Sequence, residues 1–433
     1  MFMKNLWKIT LLSLLLCLPL GMAQAESLYI SGFYGGHMIQ EYQQENPEVE
    51  VTVGYEYFDS VEELVNAMLF QETSFDIMTL WTGNQDIDML MEKGYCPALE
   101  TSDIIAEKIG QMYDTIQDAV TMDGHLYAVP LQVWCTELAY DPQLLEEMGL
   151  DVPSSFADMA EIINGWENYP PEISEDYLPV QYIEDYPSWF LMRATEHYID
   201  TLSARGEQLS FDTPVYRELM ALQSTITDAL NDNPGWEDLP APFVSGVDIT
   251  SSPGLHLVPI EMDGEIIYRG QMIVAIINPY SEHKEEAVAF LEWAVQHYSN
   301  VEKLYLFPGE SEPVENSWYA TEIAAWTKTH DALLNKLEAC EESVRRVVQD
   351  ELDIHEATLA MIEADRYAVS SEDIAVWEAV MPHMAFIPPT VFDLYSDTFY
   401  TLEFRYLDGE LSMEQFITEM ERVATMIRME NGE

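Results

Sequence analysis

Carboxylates and aromatic rings are the side chains of this sequence with the most capacity for chemistry. Asp and Glu number 78 in 433 residues, so carboxylate pairs arise at every spacing and none singles out glycoside hydrolysis. The nine histidines form no HExxH, and His355-Glu356 has no third ligand at metal spacing. Neither a G-x-S-x-G elbow nor a G-x-x-x-x-G-K phosphate loop occurs, and the run from Gly32 to Gly36 lacks the lysine and reads as a turn. No catalytic residue, metal or cofactor is expected. The 10 Trp, 24 Tyr and 16 Phe offer binding instead. A flat apolar ring fits the C–H face of a sugar while nearby polar groups take its hydroxyls. The rings expected outside the core are Phe33, Tyr34, Trp81, Trp134, Trp189, Phe392 and Tyr395. The polar candidates are Thr82, Asn84, Gln85, Asp86 and Gln132.

A β-α alternation must position these residues. Leu28 to Ser31 reads as a strand, and His37 to Gln44 as a helix that stops before Asn46-Pro47. Val49, Val51, Val53 and Tyr55 alternate along a half-buried strand. A helix from Ser60 to Leu69, a strand from Phe75 to Leu80 and a helix from Ile87 to Lys93, ended by Gly94, complete the run. Such spacing predicts a parallel sheet flanked by helices, with ligands at the carboxyl ends of its strands. Phe33-Tyr34 and Trp81 to Asn84 then stand at the mouth. Further on, Asp123-Gly124 turns into a strand that breaks at Pro130, and a second strand ends at Ala139-Tyr140. A short helix closes at Gly149, and Val152-Pro153-Ser154 caps another. Helices are expected from Ser188 to Leu202 and Pro214 to Asn231, short strands from Val244 to Ile249, and several amphipathic helices from Glu315 to Val380.

Lys4 and Lys8, the apolar run from Ile9 to Leu20 and Ala23-Gln24-Ala25 read as a secretory signal over residues 1–25. The protein is therefore expected to be exported, extracellular or in the cell envelope. A lipid anchor at Cys17 is disfavoured, because Leu16 stands where acylation needs a small residue. The formal charge of −60 repels nucleic acid and anionic membrane alike. With 48% hydrophobic residues the chain still has a core to bury, and its length suggests two lobes. Cys96, Cys135 and Cys340 are an odd number without metal spacing and are expected as free thiols.

Four segments, taken in order, resemble the extracellular solute-binding proteins of bacterial ABC importers, in their sugar-binding branch. The first comprises QEYQQENPEVEVTV, SFDIMTLW and LMEKGYCPAL, and the second is DGHLYAVPLQVWCTELAYDPQLLEEMGLDVPSSFADM. The third is GQMIVAIINPYSEHKEEAVAFLEWAVQ. In the fourth, Ile387-Pro388-Pro389 precedes an aromatic helix and LDGELSMEQFITEMERVATM follows. The resemblance implies an α/β, two-lobed periplasmic-binding-protein-like fold, each lobe a mainly parallel sheet flanked by helices and joined by hinge crossings. Lobe one would take 26–137 plus 274–307, and lobe two 138–273 plus 308–433. It also implies a monomeric protein, not an enzyme, that passes a carbohydrate (an oligosaccharide) from the inter-lobe cleft to a membrane permease. Stacking rings would come from positions like Trp81, Trp189 and Tyr395. The alternatives are a binding protein for a cationic solute such as a polyamine, a secreted carbohydrate-active enzyme, and a surface adhesin.

Overall fold

The computed structural model describes residues 26–32, 36–54, 58, 61–70, 75–83, 86–181, 183, 185–227, 239–310, 312–387 and 391–430. Six alternating elements come first: β1 (Glu26–Ser31), α1 (Gly36–Glu45), β2 (Val49–Gly54), α2 (Val61–Leu69), β3 (Ile77–Trp81) and α3 (Ile87–Glu92). Alternation makes the strands, as where Val49 and Val51 of β2 are buried and Glu50 is exposed. Then come β4 (Val129–Tyr140), α4 (Pro142–Met148), which Asp141 caps and Gly149 stops at φ 67°, and α5 (Phe156–Gly165), capped by Ser155. The middle of the chain supplies β5 (Val180–Gln181), α6 (Tyr186–Ala204), β6 (Phe243–Asp248), β7 (His256–Leu257) and β8 (Tyr268–Ile277). After α7 (Lys284–Ala294) and β9 (Val314–Glu315) come the long helices α8 (Tyr319–Ala339) and α9 (Glu342–Ala364). The last elements are β10 (Tyr367–Val369), α10 (Ser371–Val380), β11 (Met384–Ala385), α11 (Val391–Leu407) and α12 (Met413–Glu430).

A nine-stranded sheet runs in the order β2-β1-β3-β8-β4-β6-β5, with β11 on β8 and β7 on β4. The expected parallel part is β2-β1-β3. Beyond it the sheet is mixed, because β8 runs antiparallel to both β3 and β4, and β4 antiparallel to β6. These two long strands cross the molecule in opposite senses. The sequence suggests a break at Pro130, yet β4 runs straight through it. The ladder with β8 shifts register between Ile273 and Val274, opposite the stretch from Pro130 to Gln132. A proline is tolerated at such an irregularity, and its carbonyl accepts the Tyr298 hydroxyl at 2.6 Å.

Two hydrophobic cores lie along the sheet. The first gathers Leu28, Ile30, Ile77, Leu80, Val133, Ile276 and Phe290, and also Ile374 and Trp377 of α10. The second gathers Phe156, Trp166, Trp189, Phe190, Tyr216 and Phe243 with Phe399 and Phe416. The segment 369–384 thus packs in the first core, whereas the expected division places it in lobe two. Trp377 explains why: its Nε1 donates to the Tyr305 carbonyl at 3.1 Å and its ring meets that of Tyr305 edge-on. Helices α8 and α9 join neither core. They pack on each other through Leu333, Val348, Leu352 and His355 and leave Ile354 and Met361 about 70% exposed. Cys96, Cys135 and Cys340 are free thiols, and burial pushes Cys96 up to about 12. Among the described residues, no helix is long and apolar enough to cross a membrane.

Candidate functional site

Strand register gathers several of the expected residues on one surface. Trp81 of β3 lies opposite Ile273 of β8, Ile273 opposite Gln132 of β4, and Gln271 of β8 opposite Trp134 of β4. Opposed residues share a face, as do alternate residues of one strand. Trp81, Gln271, Trp134 and Gln132 therefore present together across three adjacent strands. The Trp81 and Trp134 rings sit 6.1 Å apart, tilted by 33°, and both are partly exposed. Trp81 Nε1 donates to Gln271 Oε1 at 3.1 Å, which fixes the indole edge and leaves the amide nitrogen of Gln271 as a donor. Gln132 is exposed. Gly83 keeps space for this ring, since a Cβ there would stand 2.7 Å from Trp81 Nε1.

Two of the polar candidates hold the scaffold. Thr82 is buried, its hydroxyl accepts the Met272 N–H at 2.9 Å, and its own N–H donates to the Met272 carbonyl at 2.9 Å. Asp86 caps α3 by accepting the Met89 N–H at 2.9 Å. Phe33, Tyr34, Asn84 and Gln85 lie outside the described residues. Phe392 and Tyr395 fall on α11, with their side chains outside them too.

Trp189 is not part of this surface. It is 5% exposed, packs in the second core and donates from Nε1 to Ser245 Oγ at 2.9 Å. It also lines a cavity of about 30 Å³ with Glu137, Arg193, His197 and Tyr268. Glu137 is three residues beyond Trp134 on β4, so strand alternation points it to the opposite face. Its carboxyl accepts the Arg269 N–H at 3.3 Å. Burial pushes it up to about 7, against the opposing pull of the Arg193 guanidinium. On α11, burial and then the nearby Glu196 hold Glu403 up at about 8. Gln271, Glu137, Arg193 and His197 were not picked out from the sequence, although Gln271 is the polar residue that directly precedes the apolar run Met272 to Ile277. Among the described residues no three His, Cys, Asp or Glu gather as metal ligands.

Residues 37–242 match the family model described as bacterial extracellular solute-binding protein. No protein of curated function matches the sequence. Solved structures share the fold along nearly the whole chain. A cyclic alpha-maltosyl-1,6-maltose binding protein from Arthrobacter globiformis superposes with a TM-score of 0.57 at 14% identity, covering 93% of this chain and 98% of its own. Maltose-bound MalE3 of T. maritima gives 0.52 at 16% identity, covering 93% and 100%. An ABC transporter solute binding protein from Agrobacterium vitis, with bound D-mannitol, gives 0.53 at 13% identity, covering 94% and 99%. The two cores strung along one mixed sheet, the family match within residues 37–242 and these superpositions agree: the chain has the fold of these solute-binding proteins, and its residues 37–242 match the model of the bacterial extracellular solute-binding family.

Proposed function

We propose that this protein is the extracellular substrate-binding component of an ABC import system, and that it binds a carbohydrate, an oligosaccharide, in a cleft floored by the Trp81–Trp134 surface. The observation that carries this reading is the pair of indoles 6.1 Å apart beside the Gln271 and Gln132 amides. Rings of this kind cover C–H faces, and the amides answer hydroxyls. The relatives with bound maltose or D-mannitol support the ligand class. Lobe one would comprise 26–137, 274–307 and also 369–384, and lobe two 138–273 with the remaining residues after 307. The lobes close on the solute by bending at the crossing strands. A membrane permease then receives it unchanged. Phe33, Tyr34, Asn84, Phe392 and Tyr395 would complete the cleft, and residues 1–25 would direct a monomeric protein out of the cell.

The formal charge of −60 favours one other reading, in which the solute is a polyamine. A thermal-shift screen with maltose, maltotriose, mannitol and spermidine separates them, because a ligand bound only by the folded state raises its melting temperature. A saccharide is expected to do so and, at saturation, to shrink the radius of gyration seen by X-ray scattering. A shift with spermidine alone would overturn the carbohydrate reading, and cleavage of the saccharide would overturn the importer role.

A further inference from the structure

The cavity of about 30 Å³ lies among α5, α6, β4 and the start of β8, on the face of β4 turned away from Trp134. Phe156, Trp189 and Tyr268 wall it with rings, and Glu137, Arg193 and His197 supply its polar lining. Arg193 and His197 are four residues apart on α6 and share a helix face. Two of their nitrogens, Arg193 Nε and His197 Nε2, are buried without a hydrogen-bond partner among the described residues. Arg193 Nε carries a hydrogen and can only donate. The other ring nitrogen of His197 donates to the Ile260 carbonyl, and burial holds the imidazole down at about 4. The ring is therefore neutral at ordinary pH, and Nε2 presents a lone pair. One buried donor and one buried acceptor remain open, and such groups are costly to leave unmet.

The chemistry of the missing partner follows from that pair. A cation cannot accept from Arg193, and neither a halide nor a carboxylate can donate to His197. A hydroxyl does both. We infer that this cavity is a built site for a single O–H group, accepting from Arg193 Nε and donating to His197 Nε2. Its volume admits one water-sized oxygen and no sugar ring. The group is either a water or one hydroxyl projecting from a saccharide, and only the second source rests on the carbohydrate reading.

High-resolution crystal structures of the full chain, one ligand-free and one soaked in maltose, test the inference. An oxygen about 2.7–3.2 Å from both nitrogens is expected. If it is present in both crystals it is a water; if it occurs only as part of maltose it is a ligand hydroxyl. Density missing from both crystals, or touching only one nitrogen, overturns the site whatever maltose does at Trp81. Stability gives a second readout. His197→Gln keeps an acceptor and His197→Phe removes it, so the phenylalanine variant should have a folded-to-unfolded ratio about tenfold lower than the glutamine variant. Equal ratios would also overturn the site, and the crystals decide it even if the phenylalanine variant does not fold.

Discussion

Trp81 and Trp189 carry the same ring into opposite circumstances. One indole is partly exposed beside a second, with its edge tied to Gln271; the other is enclosed by the second core. Trp81→Ala should weaken saccharide binding by about 1–3 kcal/mol and leave the melting temperature nearly unchanged. Trp189→Ala should instead cost about 3–5 kcal/mol of stability, read from denaturant midpoints. The reverse pattern would place the ligand on the other side of β4. Sequence showed which aromatics stand near strand and helix ends, but not which way they point. Asp185 as the cap and Pro187 in the first turn mark a helix start locally, and only the packing of α6 decides that Trp189 faces inward. A second expectation concerns protons. Glu137 and Glu403 are held up to about 7 and about 8, above the ordinary value of 4.5, so the folded state binds their protons more tightly than the unfolded state does. Their contribution is complete below about pH 4.5 and is lost as pH rises through about 7 to 8. Glu403→Gln mimics the protonated acid. Across pH 5 to 8 the wild type should lose on the order of a few kcal/mol relative to this variant, and parallel urea midpoints for the two proteins would exclude a buried, proton-holding Glu403.

Elements were more legible than single residues, because periodicity and caps act locally. The opening β-α alternation, the stop at Gly149 and the helix begun by Pro214 all follow from short-range rules. Pro130 misleads for a non-local reason: its place in β4 depends on the register of β8 and on Tyr298, 168 residues away. The hairpin α8–α9 gives an expectation of its own. Lys336 with Glu351, His330 with Glu356 and the Trp326 carbonyl with His355 tie its two helices together, while no residue of either helix joins a core. At its base β9 pairs with β10, setting Glu315 opposite Tyr367. Replacing 317–365 by a turn of about four residues should therefore leave the melting temperature within a few degrees and ligand affinity unchanged. A large loss of either would mean that the hairpin supports the body through contacts other than packing in the cores.

At the scale of the whole molecule the formal charge of −60 becomes a means of discrimination. Raising ionic strength from about 0.01 M to about 0.15 M cuts the screening length from about 30 Å to about 8 Å. Binding of a neutral oligosaccharide through stacking and hydrogen bonds should be almost indifferent to that change. A polyamine should lose affinity steeply, mainly through slower association, and calorimetry at the two salts distinguishes them. Composition conveyed the charge, whereas the packing of 369–384 in the first core depends on long-range contacts that no local pattern encodes. The Pro130 irregularity has a mechanical meaning as well. Tyr298 grips the Pro130 carbonyl at one irregularity of β4, and a second register shift, between Glu137 and Ala139 against β6, stands at the other, so the two irregularities bracket the strand where it pairs with β8. Its regular rungs lie between, from Gln132 to Cys135. If the proposed closure takes place, the ribbon of β4 and β8 would act as a torsion spring, taking up twist along its regular rungs instead of pivoting at a point, and it would carry Trp134 on the part that turns.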